Sequence, residues 1–245
     1  MSKIALVTGG MGGIGTAICK ALSSAGCSVV TTFSSNEEKA NTWLSDMEND
    51  GYSFKAYKCD VSNFDLCEKA VAAIKKDVGP IDILVNNAGI TKDSTLKKMT
   101  KDFWDIVLRT NLDSVFNMSK QVLDDMLEKE WGRIINISSI NGQKGQFGQT
   151  NYSAAKAGIH GFTMALAQET AKKGITVNTI APGYIATEMV LAVPDEIRNK
   201  IISTIPVGRL GTPSEVADLV KYLASDSAAF ITGSEIAING GQHMM

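Results

Sequence analysis

The sequence predicts an α/β protein with a doubly wound parallel sheet of about seven strands and helices on both faces of that sheet. Seven short runs of apolar and β-branched residues alternate with six longer stretches of helical pattern. Several of the short runs are apolar throughout, which is typical of parallel strands that are covered on both faces. Repeated strand–helix alternation indicates parallel pairing, and right-handed crossovers then distribute the helices over both faces.

The elements follow one another in a regular order along the chain. The predicted strands are Ile4–Thr8, Ser28–Thr32, Phe54–Lys58, Ile81–Val85, Arg133–Ser138, Thr176–Ile180 and Glu235–Ile238. The predicted helices are Gly13–Ala25, Glu37–Asn49, Asn63–Val78, Lys101–Glu128, Tyr152–Lys173 and Ser214–Ala224. Only a weakly helical segment, Glu188–Ile202, interrupts the stretch from Gly183 to Thr212. An excursion of this length after a sheet strand predicts a substrate lid over 184–211, with an extra packed helix pair as the alternative.

Size and composition restrict the class of protein. The 245 residues fit one domain over 1–245, and the apolar (44%) and charged (20%) fractions are ordinary for a soluble globular protein. A net charge of −2 gives no basic excess for nucleic acid. We find no signal-peptide pattern and no apolar run of about 18 residues, so we expect a cytoplasmic protein without a membrane partner. The spacing of the Cys and His residues predicts reduced thiols and no metal site.

A glycine-rich loop joins the first strand to the first helix. Its glycines match G-x-G-x-x-G at Gly10, Gly12 and Gly15, and they permit a tight turn that lets a pyrophosphate approach the helix N-terminus. The position between a strand and a helix favours a dinucleotide site over a merely flexible turn. The residues predicted to bind the cofactor here are Gly9, Gly12, Gly13, Ile14 and Gly15.

The end of the second predicted strand indicates which dinucleotide binds. An NAD site usually carries a carboxylate there, about 20 residues after the loop. This chain instead has Ser34, Ser35 and Asn36, followed by Glu37, Glu38 and Lys39. Because hydroxyl, amide and ammonium groups can donate to a 2′-phosphate, we predict NADP(H), with Glu37 and Glu38 as the opposing feature. Asp60, after the third strand, is predicted either to accept from the adenine amino group or to act as a helix N-terminal carboxylate.

Tyr152 and Lys156 stand four residues apart at the start of a long predicted helix, so their side chains share one face. A tyrosine has a pKa of about 10, and a nearby ammonium stabilises the phenolate and lowers that pKa toward neutrality. We therefore predict that Tyr152 is an acid/base group tuned by Lys156. The sheet edge supplies further polar groups: Ser139 follows the fifth strand, and Asn86–Gly89 follows the fourth. Asn111 lies inside a predicted helix, where it needs a structural bond or a held water.

Together these motifs, with Pro182-Gly183, resemble the short-chain dehydrogenase/reductase family and its Rossmann-type fold over essentially the whole chain. The resemblance implies that Tyr152 is the acid/base, that Ser139 binds the substrate oxygen, and that Lys156 binds the nicotinamide ribose. It implies that Asn111 holds a water of a proton relay. The further cofactor contacts it implies are Asn87, Ala88, Gly89, Pro182, Gly183, Ile185 and Thr187. Hydride attack on a carbonyl carbon would then place charge on an oxygen held by Tyr152 and Ser139.

The loop between Ser139 and Tyr152 is predicted to be a compact polar loop over the site, or else a plain connection. This loop, the glycine loop and the stretch 181–187 resemble the acetoacetyl-CoA reductases of polyhydroxyalkanoate synthesis. That likeness implies NADPH as cofactor, a (3R)-3-hydroxyacyl-CoA product and a homotetramer. The substrate contacts it implies are Asp93, Lys98, Ser139, Gln146, Phe147, Gln149 and Tyr184. A 3-oxoacyl-acyl-carrier-protein reductase and a non-catalytic dinucleotide sensor are the alternatives.

Overall fold

Seven parallel strands form one sheet in the computed structural model, which describes residues 2–244. The strands are β1 (Ile4–Thr8), β2 (Ser28–Phe33), β3 (Lys55–Lys58), β4 (Ile83–Asn86), β5 (Gly132–Ile137), β6 (Ile175–Pro182) and β7 (Glu235–Ile238). Their order across the sheet is β3-β2-β1-β4-β5-β6-β7. The order reverses direction between β1 and β4, which is where doubly wound sheets bind their ligands.

Helices cover both faces of the sheet, as the sequence predicted. They are α1 (Gly13–Ser24), α2 (Glu37–Asn49), α3 (Phe64–Asp77), α4 (Lys101–Leu108), α5 (Ser114–Lys129), α6 (Ile140–Lys144), α7 (Thr150–Thr170), α8 (Glu188–Leu191), α9 (Asp195–Ile202) and α10 (Pro213–Leu223). One apolar cluster joins the sheet to α1, α2 and α10, and a second joins it to α3, α5 and α7. The predicted doubly wound α/β fold is confirmed.

Two predicted segments differ from the observed structure. The single helix expected over Lys101–Glu128 is interrupted by a π-helical turn at Arg109–Asp113, because one residue more than an α-helix accommodates lies in this turn. The expected loop after Ser139 contains the short helix α6. Ser139 caps this helix, because its hydroxyl accepts a hydrogen bond from the backbone N–H of Asn141 (3.1 Å). Both differences lie beside the carboxyl edge of the sheet.

The excursion between β6 and α10 is tied together at its base. The backbone N–H of Ala186 donates to Gly211 (2.8 Å), and that of Gly211 donates to Tyr184 (2.9 Å). Arg209 forms two hydrogen bonds with the carboxylate of Glu215, which also caps α10. The helices α8 and α9 therefore extend from a closed stem whose two segments are joined by an isolated bridge between Ile185 and Gly211.

Candidate active site

The ends of β1, β4 and β5 bring the predicted site residues to one edge of the sheet. The Thr8 hydroxyl accepts hydrogen bonds from the backbone N–H groups of Asn87 and Ala88, both at 3.0 Å. The Asn87 side-chain amide donates to the backbone carbonyls of Thr8 (3.0 Å) and Gly9 (3.1 Å). Since Thr8 ends β1 and Asn87 follows β4, these bonds fix the glycine loop against the next strand of the sheet.

The glycine loop has a shape that only glycine allows at two positions. Gly9 has a left-handed φ of +63°, and a Cβ on Gly15 would lie 2.5 Å from the Gly9 carbonyl oxygen. Helix α1 has Gly12 as its N-cap, with no side-chain cap and no acidic residue in its first turn. The backbone N–H groups at that end are thus presented to a ligand, and they fit the pyrophosphate of a dinucleotide.

The segment after β6 lies close to the glycine loop at Gly13 and Thr187. A Cβ on Gly13 would lie 3.2 Å from the Thr187 methyl carbon. Thr187 is the N-cap residue of α8, and Pro182 ends β6. A Cβ on Gly183 would lie 2.8 Å from the Cα of Asn239, while Ile185 is 5% exposed and packs in the core. The predicted residues of the glycine loop and of 182–187 therefore lie close together.

At the end of β2, the candidate phosphate-binding residues Ser34, Ser35 and Lys39 are all exposed. The side-chain oxygen of Asn36 accepts from the backbone N–H of Lys39 (2.8 Å), so Asn36 caps α2. Glu37 and Glu38 occupy the first turn of α2 and are exposed, so a carboxylate does not replace the hydroxyl groups at the strand end.

Asp60 follows β3 and is exposed at the carboxyl edge of the sheet. One of its carboxylate oxygens accepts from the backbone N–H (3.0 Å) and the hydroxyl (2.7 Å) of Ser62. Helix α3 is capped instead by Asn63, which accepts from the backbone N–H of Leu66. Asp60 therefore lies just before α3 without capping it, and both roles predicted for it, accepting from the adenine amino group and acting as a carboxylate near the helix N-terminus, stay predictions.

Tyr152 and Lys156 lie one turn apart on α7, and the Lys156 ammonium is 5.6 Å from the centre of the Tyr152 ring. Lys156 is 3% exposed and donates to the backbone carbonyl of Ile137, at the end of β5, over 2.8 Å. Burial in this low-dielectric position lowers the pKa of Lys156 from its ordinary 10.5 to about 8. Lys156 therefore loses its proton more readily than an exposed lysine, although it still carries it at neutral pH.

Three influences act on the Tyr152 hydroxyl. Burial raises the pKa of Tyr152, the nearby Ser139 side chain lowers it, and the carboxylate of Asp93 raises it further. The expectation that Lys156 sets a lowered pKa for Tyr152 is therefore not met in this arrangement, because desolvation of the phenolate exceeds the favourable interactions. The structure nevertheless brings the phenol, the serine hydroxyl and the lysine together at one place.

Asn111 lies in the π-helical turn and makes two hydrogen bonds to Ile90. Its side-chain oxygen accepts from the Ile90 N–H, and its amide donates to the Ile90 carbonyl, both at 2.8 Å. A Cβ on Gly89 would lie 2.8 Å from the Asn111 oxygen and 3.5 Å from the Lys156 nitrogen. Of the two predicted uses of Asn111, the structural bond is observed, and it holds the segment after β4 against Lys156.

The predicted substrate residues divide into a bonded group and an exposed group. The Gln149 amide donates to Asp93 (2.9 Å), and its oxygen accepts from Asn141 (2.9 Å). Phe147 is 87% exposed, and Gln146 and Lys98 are exposed as well. Tyr184 is half-buried at the base of the excursion. Asp93 and Gln149 thus lie near Tyr152, whereas the structure does not bring Lys98, Gln146, Phe147 and Tyr184 together as one group.

Three residues at the site escaped sequence reasoning: Thr31, Asn141 and His160. The Thr31 hydroxyl accepts from the backbone N–H of Gly10 (2.9 Å) and donates to Val7 (2.8 Å), so it anchors the glycine loop from β2. Asn141 orients Gln149, and His160 lies between Ser138 and Glu235 rather than in apolar packing. Thr31 and His160 depend on contacts between distant parts of the chain, and Asn141 depends on the fold of its own loop, so the sequence carries no local signal for them.

Within residues 2–244, no group of three His, Cys, Asp or Glu side chains has an arrangement that could hold a metal ion. No helix in the same range has both the length and the apolar character needed to span a membrane. Cys19, Cys59 and Cys67 are buried, as predicted for packed thiols.

Comparison with known proteins agrees with this geometry. The profile of the short chain dehydrogenase family matches residues 3–197. Nodulation protein G of Azospirillum brasilense is 57% identical over 98% of this chain and 97% of its own length. The acetoacetyl-CoA reductase of Cupriavidus necator is 54% identical, with coverage of 99% and 98%. The 3-oxoacyl-[acyl-carrier-protein] reductase of Vibrio cholerae is 46% identical, again covering 99% and 98%.

Proposed function

This chain belongs to the short-chain dehydrogenase family, and from that premise we propose that it reduces acetoacetyl-CoA to (3R)-3-hydroxybutanoyl-CoA with NADPH, as in polyhydroxybutyrate synthesis. The observation that carries the proposal is the group formed by Tyr152, Ser139 and Lys156 at the carboxyl edge of the sheet, in which Lys156 is buried and Ser139 lies close enough to lower the pKa of Tyr152. The greater similarity to an acetoacetyl-CoA reductase, 54% against 46% for a carrier-protein reductase, supports the choice of thioester.

In this mechanism the bound nicotinamide dinucleotide supplies the hydride that the carbonyl carbon receives. Ser139 and Tyr152 donate hydrogen bonds to the carbonyl oxygen and stabilise the charge that develops there. Tyr152 then transfers its hydroxyl proton to that oxygen. Its raised pKa keeps the phenol protonated and ready to donate before the reaction. Lys156, held by the Ile137 carbonyl, stabilises the phenolate that remains.

The principal test is Tyr152→Phe, which removes the proton donor and keeps the ring. We expect turnover of acetoacetyl-CoA to fall by about 10²–10⁴-fold, whereas the dissociation constant of NADPH should change by less than about twofold. Ser153→Ala, the next residue on the same helix, is the matched control and should retain turnover. Undiminished turnover in Tyr152→Phe would remove the phenol from the mechanism. Binding of NADPH without any turnover by the wild type would favour a dinucleotide sensor.

NADPH is proposed over NADH because the end of β2 presents Ser34, Ser35 and Lys39 to solvent where an NAD site places a carboxylate. We expect Lys39→Ala to raise the KM for NADPH about tenfold, the loss of one charge-assisted hydrogen bond, and to leave the KM for NADH unchanged. Lys120→Ala removes an exposed lysine of α5 and is the control. Equal kcat/KM for both cofactors in the wild type would contradict this assignment.

The acyl group is assigned to coenzyme A, and steady-state kinetics with both thioesters tests that choice. We expect a higher kcat/KM with acetoacetyl-CoA than with acetoacetyl-carrier protein. The exposed Lys98 beside the site is proposed to attract the CoA phosphates, so Lys98→Glu should raise the KM for acetoacetyl-CoA. A clear preference for the carrier protein would instead identify a 3-oxoacyl-acyl-carrier-protein reductase.

We also propose that the excursion over 184–211 closes on the bound substrate, while its stem at Ile185 and Gly211 stays fixed. Hydrogen exchange should then slow in α8 and α9 when cofactor and substrate are both added.

We further propose a homotetramer in which a second copy covers the shallow apolar hollow between α3 and α5. Phe64 and Phe116 stack there, and Phe116 is 52% exposed. Light scattering of Phe116→Glu should show a smaller assembly.

A further inference from the structure

Three polar side chains, Ser138, His160 and Glu235, form a hydrogen-bonded row between the end of β5, α7 and β7. His160 is one turn beyond Lys156 on α7, and its Nε2 lies 2.7 Å from the hydroxyl of Ser138. Its Nδ1 lies 2.7 Å from a carboxylate oxygen of Glu235, the first residue of β7. The serine, histidine and carboxylate have the composition of a nucleophilic triad. However, Ser138 is only 4% exposed, and its hydroxyl faces α7 rather than a cleft.

The Ser138 hydroxyl has two neighbours that compete for its single hydrogen. It lies 2.9 Å from the backbone carbonyl of Lys156 and 2.7 Å from His160 Nε2. A carbonyl can only accept, whereas a ring nitrogen accepts or donates according to its protonation. The partner of the serine hydrogen is therefore decided by the state of the imidazole.

Counting the protons gives two distinct arrangements. When the His160–Glu235 pair carries one proton, Nδ1 donates to the carboxylate, Nε2 accepts from Ser138, and the Lys156 carbonyl receives no hydrogen from the serine. When the pair gains a second proton, Nε2 donates to the Ser138 oxygen, and the serine hydrogen turns to the Lys156 carbonyl. Both arrangements are compatible with the observed distances, and the change from one to the other begins with rotation of the Ser138 hydroxyl.

We propose that His160 is a positioning residue whose protonation moves the Ser138 hydrogen bond from the histidine to the backbone of Lys156, and that it thereby makes catalysis pH-dependent. The charged groups that act on His160 are Glu235 from β7 and Lys156 from α7, while the residue after β5 contributes the uncharged hydroxyl of Ser138. Burial and the ammonium of Lys156 lower the pKa of His160, and Glu235 raises it. The neutral arrangement therefore prevails in the working enzyme, and the protonated one forms on acidification.

Protonation of His160 has two consequences for the site, and both act on Lys156. It brings a second positive charge near an ammonium that burial already disfavours, so the proton affinity of Lys156 falls. It also ties the Lys156 backbone to Ser138, the neighbour of Ser139. Since a small displacement of a reacting group costs up to about 100-fold in rate, we expect kcat to fall on the acid side as His160 gains its proton.

Variants of His160 separate the role of its contact with Ser138 from that of its contact with Glu235. His160→Gln keeps an amide near the Nε2 position and His160→Asn keeps one near the Nδ1 position, while His160→Leu removes both. We expect kcat to fall about tenfold in His160→Leu, with less than about twofold change in KM, and to be largely restored in His160→Gln. The acid decline of kcat should disappear in all three. His243→Gln removes the other histidine of the chain and should leave kcat and its pH profile unchanged.

Nitrogen NMR of the imidazoles measures the protonation of His160 without any substrate. Because the chain has only two histidines, His243→Gln leaves the His160 ring as the single imidazole signal. We expect Nδ1 to be protonated and Nε2 unprotonated at neutral pH, and Glu235→Gln to reduce this preference. A ring protonated on Nε2 alone would overturn the inference, as would an acid decline of kcat that persists in His160→Leu. The inference rests on the proposed reductase activity, but the tautomer is measured independently, so the two can fail separately.

Discussion

The burial of Lys156 has a thermodynamic consequence that a single substitution exposes. Its pKa is about 8 in the folded chain and has its ordinary value of 10.5 when the side chain is in water. Each pKa unit corresponds to about 1.4 kcal/mol, so the buried ammonium destabilises the fold by about 3 kcal/mol at neutral pH. We expect Lys156→Met, which removes the charge and keeps the volume, to escape this penalty.

The sign of the pH dependence follows from which state holds the proton. Below about pH 8 both folded and unfolded chains carry the ammonium, and the penalty is fully present. Above that pH the folded chain releases the proton while the unfolded chain keeps it, so wild-type stability rises relative to Lys156→Met. From about pH 8 to about pH 9.5 the difference in free energy of unfolding should shrink by about 2 kcal/mol.

Urea unfolding of both proteins at several pH values measures this difference. The other titrating groups are common to the two chains, so their contributions cancel in the comparison. The loss of the hydrogen bond to Ile137 shifts the difference by a constant and leaves its slope with pH unaffected. Lys120→Met, at an exposed lysine of α5, is the control and should show no slope. A difference for Lys156→Met that stays constant with pH would refute the claim that Lys156 is held desolvated.

Three further predictions concern the same site. In the free enzyme, kcat/KM for reduction should fall as the pH rises through about 8, because Lys156 then loses the charge that stabilises the phenolate; a pH–rate profile checks this. Thr31→Val should lower the free energy of unfolding by about 1–3 kcal/mol by leaving the Gly10 N–H without its partner, whereas Thr31→Ser should not; thermal unfolding compares them. Gly15→Ala should weaken NADPH binding at least about tenfold, because its methyl would lie 2.5 Å from the Gly9 oxygen, while Gly161→Ala, which meets open space, should bind normally in fluorescence titration.

The sequence predicted the fold because periodicity and composition are local signals. Every predicted strand is present, and β1 and β7 have the predicted bounds. The order of glycines, of Asn87 and of the tyrosine–lysine pair predicted that these residues lie at one edge of the sheet, since each follows a strand or begins a helix. The π-helical turn was not predictable in this way, because its residues have ordinary helical propensity. Only the two hydrogen bonds between the Asn111 side chain and the Ile90 backbone show what the turn positions.

Electrostatics was the second part that sequence could not supply. The spacing of Tyr152 and Lys156 indicated an ammonium beside a phenol, but the sign of the net effect depends on how deeply both groups are buried. Burial raises the pKa of Tyr152 and lowers that of Lys156, so each group is displaced toward its neutral form. The pair His160 and Glu235 lies 75 positions apart in the chain, and no pattern of spacing could have joined it.

The position of α7 follows from its contacts with three successive residues, two at the end of β5 and one directly after it. Thr163 accepts from the Asn136 amide (2.8 Å), Lys156 donates to the Ile137 carbonyl, and His160 contacts Ser138. Sliding α7 by one turn would break all three, and each buried polar group left without a partner costs about 1–3 kcal/mol. Apolar packing alone tolerates such a shift far better, because dispersion and burial are not directional. The same polar contacts that raise the cost of assembling this interface therefore set the distance at which Tyr152 meets Ser139.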